Sequence, residues 1–167
     1  WDKVEIAWGD TAKHLPWSSS QGGSQTTHAH TRANWAAGQD AKSKLQEIAA
    51  HDFGGAPDDY ELGSERVFRR GNRSQGMTYA RAAERAIALG GRYDGHELPE
   101  DINSMTVASA QALAGQGLMG VAKDNYGLGG RTMSFVVGLA EVEIDVETGE
   151  ISLVDYAATT DCGRVLH

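Results

Sequence analysis

The sequence predicts an α+β fold, in which two or three helices pack against a mainly antiparallel sheet. Residues 27–50 and 77–89 carry apolar side chains at the three- and four-residue spacing of helices. Around a glycine-containing turn, residues 140–146 and 151–156 alternate apolar with polar side chains, which is typical of a β-hairpin. A chain of 167 residues with 40% hydrophobic composition is long enough for one domain with its own core.

The first predicted elements are a short strand over residues 4–8 and a long helix over residues 27–50, separated by a loop. Thr26 or Thr27 is the expected N-cap, since a hydroxyl there accepts a bond from a free amide. Small apolar residues on one helix face would let it lie close against a neighbour. That face comprises Ala29, Ala33, Ala36, Ala37, Ala41, Leu45, Ile48 and Ala49, and the other comprises His28, Arg32, Gln39, Lys42 and Gln46.

The middle of the chain predicts two short strands and a second helix. The strands cover residues 60–62 and 66–69, with a turn at Gly63 and Ser64. The helix covers residues 77–89, with Thr78 as its cap and two glycines after its last turn. A polar loop then leads to residues 104–118, which predict a short helix that frays into Gly115-Gln116-Gly117.

The hairpin is the clearest secondary structure in the sequence. Its turn is Glu147-Thr148-Gly149, in which the glycine supplies a positive φ. Glu141, Glu143 and Asp145 fall on one face of the first strand, and a solvated face explains them better than a calcium site does.

Composition excludes several classes of function. The net charge of −8 argues against nucleic-acid binding, and no apolar run is as long as a membrane span. The single cysteine, Cys162, cannot form an internal disulfide, which favours a reducing, cytoplasmic setting without excluding the periplasm. We expect this thiol to be buried and structural. The chain begins with Trp1 and ends on an apolar pattern, so we expect residues 1–167 to be one segment of a domain, incomplete at both ends.

The candidate binding site is the glycine- and hydroxyl-rich loop that leads into the first helix. It consists of Gly22, Gly23, Ser24, Gln25, Thr26 and Thr27. The free amides of a helix N-terminus, together with the helix dipole, favour an anionic group. An ordinary capping loop is the alternative interpretation of the same residues.

Several motifs occur in a fixed order along the chain. They are Gly9-Asp10-Thr11, Pro16, Gly23-Ser24-Gln25-Thr26, Ser134-Phe135, residues 140–145, Glu147-Thr148-Gly149 and Asp161-Cys162-Gly163. Together they resemble the molybdopterin-binding large subunit of the xanthine dehydrogenase/aldehyde oxidase family of molybdenum hydroxylases.

The resemblance implies a molybdopterin cofactor held in part by residues 22–27. It implies an enzyme that hydroxylates aldehydes or N-heterocycles with water as the oxygen source. Iron–sulfur clusters and FAD would lie on other domains or subunits, and the partners would be the rest of the large subunit with an iron–sulfur and a flavin subunit. The catalytic glutamate would lie outside this chain, so the segment alone is expected to be inactive, with no catalytic residue.

Two departures and two further motifs qualify the resemblance. Family members often have arginine where this chain has Gln25, and glycine where it has Thr31. Phe53-Gly54-Gly55 and Gly115-Gln116-Gly117 look like cofactor loops of the family, but they follow the Gly23-Ser24 pair instead of preceding it. We interpret both as ordinary loop glycines.

The sequence gives weaker support for a metal site or for any other chemical function. His28 and His30 are two residues apart, which places them on different helix faces, so we expect no histidine metal site. Asp161 is expected to be a turn residue. The alternative to a cofactor-binding segment is a non-catalytic α+β scaffold or assembly module with no ligand of its own.

Overall fold

The computed structural model describes residues 2–7, 10–13, 22–123 and 133–165 and confirms the α+β class. Its contacts divide the chain into two compact units, Trp1–Asn125 and Tyr126–His167. Trp8, Gly9, Pro16 and the residues up to Gln21 belong to predicted features that lie outside the described residues.

The first unit contains three helices and a three-stranded antiparallel sheet in its described part. The sheet order is β1-β2-β3, with a register shift between Phe68 and Arg69. In chain order the elements are α1 (Thr26–Phe53), β1 (Tyr60–Gly63), β2 (Arg66–Arg69), β3 (Asn72–Thr78), α2 (Tyr79–Leu89) and α3 (Ser104–Leu113). None of the described helices is long and apolar enough to cross a membrane.

The core forms where the second half of α1 packs against the sheet and α2. Tyr60 and Val67 from the sheet are fully buried against Ile48 of α1 and Ala82 and Ala86 of α2. The alanines of α2 let it lie close to α1, and the apolar side chains between the layers supply most of the stabilisation.

Helix α1 confirms the predicted long helix, but its ends and faces differ in part. Gly54 ends it as predicted, with φ of 79° and an amide that donates to the Ala50 carbonyl. The predicted N-cap was wrong, because Gln25 occupies that position. The prediction that Gln46 lies on the polar face was also wrong: it is buried, and its side-chain amide donates to the Tyr60 carbonyl at 2.6 Å.

Two other predictions of strands and helices need correction. Residues 4–7 have no regular structure, although their alternation predicts a strand. Met77 lies in β3 and not in α2, since α2 begins at Tyr79 after the Thr78 cap. The Thr78 hydroxyl accepts from the Arg81 amide, which confirms that cap.

The second unit is a hairpin of β4 (Val136–Ile144) and β5 (Ile151–Thr160), and it confirms the predicted antiparallel pair. Gly149 has φ of 76° in the turn. Glu141 pairs with Asp155 and Val142 pairs with Leu153, so Val154 is an extra residue that forms a β-bulge. One face then carries Val142 and Ile144 beside Leu153, Ile151 and Tyr156, and the other carries Glu141 and Glu143 beside Asp155 and Ser152.

The end of the hairpin unit corrects one prediction and confirms another. Cys162 is exposed and not buried, because residues 133–165 of this unit contain only the two paired strands and no further layer to cover it. Asp161 is a turn residue as predicted, with a carboxylate oxygen that accepts from the Gly163 amide at 2.9 Å.

Candidate functional site

The predicted binding loop leads directly into the first turn of α1. Gly23 and Ser24 both have left-handed backbone conformations, with φ of 64° and 57°. A left-handed serine costs about 1 kcal/mol relative to an ordinary conformation, so the local turn must hold it there. Gln25 is the N-cap, while Thr26 and Thr27 open the helix, so residues 22–27 form one continuous exposed surface.

The first turn of α1 presents backbone donors to solvent. The first helical bond runs from the Ala29 amide to the Gln25 carbonyl at 2.7 Å. The amides of Thr26, Thr27 and His28 therefore precede the helical ladder and have no partner within the helix. Gln25 makes no side-chain cap bond to them. The site thus offers three backbone N–H groups, two threonine hydroxyls and the Gln25 amide to a ligand.

The charges around this helix end favour an anion or a polar group. The first turn contains no acidic residue, although the whole chain carries a net charge of −8. The helix dipole adds partial positive charge at the same end. Arg32 lies one to two turns further along, where its guanidinium contacts the His28 ring at 3.0 Å. No carboxylate in the first turn of α1 therefore opposes an anion at this helix end, as is also true of the first turns of α2 and α3.

Of the other two glycine motifs, one lies at the opposite end of α1 from the loop and the other follows α3. Phe53 is the last residue of the helix, and 28 helical residues extend about 42 Å, which separates Phe53-Gly54-Gly55 from residues 22–27. In Gly115-Gln116-Gly117, the Gly115 amide donates to the Asp94 carbonyl at 3.0 Å. Both sets of glycines serve turns in the first unit, and neither lies next to the loop in sequence.

The histidines within the described part of the chain show no clustering that would indicate a metal centre. His28 and His30 lie on the exposed first turns of α1. Among the residues the structure describes, no three His, Cys, Asp or Glu side chains are placed to hold a metal ion.

Two polar pairs were missed by sequence reasoning. Asp94 is 2% exposed, and its carboxylate accepts from the His96 ring at 2.8 Å. Burial acts to raise the pKa of this carboxyl, but the bonds from His96 outweigh it and hold the pKa below its ordinary value. The second pair joins Asp40 to the buried Lys44 at 2.6 Å. Only the four-residue spacing of Asp40 and Lys44 was visible in the sequence, and it is also typical of exposed helix pairs.

The described structure is that of an α+β module with exposed backbone donors at the N-terminus of α1. The family model for the molybdopterin cofactor-binding domain matches residues 1–167, the whole chain. The chain therefore belongs to the molybdopterin cofactor-binding domain family, and molybdopterin is the cofactor of that domain. A search of curated proteins gave no match.

Proposed function

We propose that this chain is part of a molybdenum hydroxylase similar to xanthine dehydrogenase and aldehyde oxidase, in which residues 22–27 hold the cofactor. The observation that carries the proposal is the uncapped first turn of α1 behind an exposed Gly-Ser turn, in a chain that belongs to the molybdopterin-binding family. A module of this family needs a surface that binds a polar, phosphate-bearing group, and this loop has the chemistry for it.

The hydrogen-bond donors and acceptors of residues 22–27 are of the types that such a cofactor would bind. Phosphate oxygens accept from helix N-terminal amides, and the pterin ring system carries both donors and acceptors for hydroxyl and amide side chains. Ser24, Thr26 and Thr27 offer hydroxyls that donate and accept, while Gln25 offers an amide that does both. These residues would bind and orient the cofactor, and none of them would move a proton in the reaction.

When bound, the cofactor supplies the metal centre for hydroxylation of an aldehyde or N-heterocycle with water as the oxygen source. This chain's own contribution is to hold and orient it. The proposal places iron–sulfur clusters and flavin on other domains or subunits, as partners of this segment. It also places the protein in the cytoplasm, which the single cysteine favours.

The loop assignment is tested by removing its hydroxyls in the holo-protein. Ser24→Ala and Thr26→Ala each remove one exposed donor-acceptor group without disturbing the core. We expect each variant to retain less molybdenum and less pterin after gel filtration, and the double variant to retain least. Dye reduction with an aldehyde should fall in proportion to the retained metal, because the loop holds the cofactor and does not take part in proton transfer.

The matched control is Ser43→Ala, which makes the same change at an exposed position in the middle of α1. It should leave the molybdenum content unchanged. Equal molybdenum content in the loop variants and the control would reject the assignment of residues 22–27. An assembled protein that retains no molybdenum or pterin and oxidises no substrate would instead favour the non-catalytic scaffold.

A gain-of-binding variant tests the same loop in the opposite direction. Gln25 is an exposed N-cap whose side chain makes no cap bond, so Gln25→Arg adds a cation without breaking one. If the loop faces an anionic part of the cofactor, this variant should retain more molybdenum than the wild type in high salt. Retention that does not change, or that falls, would place the phosphate elsewhere.

A further inference from the structure

Residues 114–121, here called the strap, contact the middle of α1 through Met119, Gly120 and Val121. The strap is tied to the polar loop before α3, because the Met119 amide donates to the Tyr93 carbonyl at 2.9 Å. At Gly120 it approaches α1 so closely that an added Cβ would lie 2.9 Å from the Ala41 side chain and would collide with the Ala37 carbonyl oxygen. The strap is therefore packed directly against the helix backbone.

A buried ion pair fastens the strap to the helix. The Lys44 ammonium, on a residue that is 4% exposed, lies 2.6 Å from the Asp40 carboxylate and donates to the Met119 carbonyl at 2.8 Å. The same Asp40 oxygen accepts from the Val121 amide at 2.8 Å. With Ala37 and Ala41, the pair occupies one face of α1 at helical spacing. We call Asp40, Lys44 and their bonds to the strap the clamp.

The part of α1 before the clamp is a weak helix. All of residues 26–35 are exposed except Arg32, which is partly buried, so little packing supports them. The segment contains three threonines, two histidines and an asparagine, which are modest helix formers, and Gly38 follows it. It has no side-chain cap. An isolated helix of this length is marginal in water, so its persistence depends on propagation from a supported turn.

We propose that Asp40 and Lys44 are positioning residues for the binding loop, because the clamp fixes α1 where its exposed N-terminal segment meets the packed part of the helix. By holding the turns at residues 37–44, the clamp keeps residues 26–36 helical. It thereby keeps the first-turn amides and residues 22–27 in one arrangement. This inference rests on the proposed function of the loop, and it assigns Asp40 and Lys44 no ligand contact of their own.

The test compares two lysine variants of the holo-protein. Lys44→Met removes the clamp cation at nearly constant volume, and Lys42→Met makes the same change at an exposed position of the same helix. Asp40→Asn is a milder second variant, which keeps an acceptor for Val121. Amide hydrogen exchange of residues 26–36 gives a readout that needs no cofactor. Molybdenum and pterin retention after gel filtration is the functional readout.

We expect Lys44→Met and Asp40→Asn to raise exchange in residues 26–36 by about tenfold or more, with exchange in α2 unchanged. Both should lose cofactor, and Lys42→Met should not. Val67→Ala, which weakens the core at the sheet, separates positioning from general destabilisation. Greater cofactor loss in the clamp variants than in Val67→Ala, at an equal loss of thermal stability, would support the proposal.

Three results would overturn it. The first is unchanged exchange in both clamp variants. The second is equal cofactor loss in Val67→Ala, which would mean that the clamp acts only through overall stability. The third is raised exchange with full cofactor retention in the clamp variants. If Ser24→Ala loses cofactor in the same experiment, only the clamp proposal fails. If Ser24→Ala also retains its cofactor, the loop assignment fails as well.

Discussion

Arg85 of α2 donates two hydrogen bonds to the carboxylate of Asp52 in the last turn of α1. Its Nε donates to Asp52 Oδ2 and its Nη2 donates to Asp52 Oδ1, both at 2.7 Å. The planar guanidinium matches the carboxylate in a way that a lysine cannot. This pair joins the two helices at the edge of the core.

Replacing Arg85 by lysine should therefore weaken the first unit even though the charge is kept. We expect Arg85→Lys to lower the urea midpoint, because one of the two bonds is lost and the other loses its fixed geometry. Arg81→Lys is the control, since Arg81 pairs with Glu84 on the exposed surface of a single helix. A midpoint shift of the same size in both variants would show that the paired geometry contributes nothing.

The Asp52–Arg85 pair predicts that the stability of the first unit depends on pH. The Arg85 hydrogen bond holds the pKa of the Asp52 carboxyl below its ordinary value, against the opposing effect of burial. The unfolded chain then binds more protons than the folded one in acid, so stability is lost as the pH falls below about 4. Urea unfolding from pH 7 to pH 3 should show the wild type losing more stability than Arg85→Met. Parallel curves would contradict the prediction.

The turn between β1 and β2 holds a second testable feature. Ser64 and Glu65 both have left-handed conformations, with φ of 49° and 62°, which glycine adopts at less cost. Glu65→Gly should stabilise the protein by about 1 kcal/mol, less the small contribution of its exposed ion pair with Lys3. Glu61→Gly makes the same change within β1 and should destabilise it. Thermal unfolding of the two variants should shift in opposite directions.

Two glycines near the clamp should respond oppositely to alanine. Gly38 lies inside α1 with open space around it, so Gly38→Ala should stabilise the helix by about 0.5–1 kcal/mol. Gly120 packs against the α1 backbone, so Gly120→Ala should destabilise the protein by about 1–3 kcal/mol as the strap is pushed away. Chemical denaturation measures both, and a neutral Gly120→Ala would show that the strap is loosely packed.

The hairpin turn should also weaken in acid. The carboxylate of Asp145 accepts from the Thr148 and Glu147 amides at 3.1 and 2.8 Å, and these bonds hold its pKa below the ordinary value. Protonation removes the charge that makes these bonds strong, so the turn loses stability as the pH falls through that lowered pKa. Amide exchange in β4 and β5 should rise in Asp145→Asn at pH 7. Equal protection in wild type and variant would contradict this.

The sequence predicted those elements whose pattern repeats locally. Helix α1, the Thr78 cap and the hairpin turn follow from side-chain periodicity and from residues with special backbone chemistry. Strand β3 was missed because residues 72–76 are polar or glycine, and only pairing with β2 makes them a strand. The burial of Lys44 was missed because Met119, whose carbonyl accepts from its ammonium, lies 75 residues away in sequence.

The sequence predicted the position of the candidate site but not all of its geometry. The position of the loop ahead of a helix could be predicted from its glycines and hydroxyls. The N-cap of α1 could not be predicted, because the helix begins directly after the Gly23-Ser24 turn and Gln25, a residue type rarely found as a cap, takes that position. The dependence of the loop on a clamp at Asp40 and Lys44 involves residues 119–121, and no local pattern connects those segments.

The β-bulge at Val154 has a consequence for how β5 tolerates insertions and deletions. Along the sequence, the period-two pattern of this strand breaks at Val154 and Asp155, yet in space the apolar face continues without a gap because one residue is left unpaired. Removing Val154 would leave Asp155 opposite Glu141 and Tyr156 on the apolar face, because only the unpaired residue is lost. Removing a paired residue such as Ala157 would instead move every later residue of the strand to the opposite face. The strand can therefore lose its bulged residue and keep both faces, but it cannot lose a paired residue beyond the bulge without exchanging them.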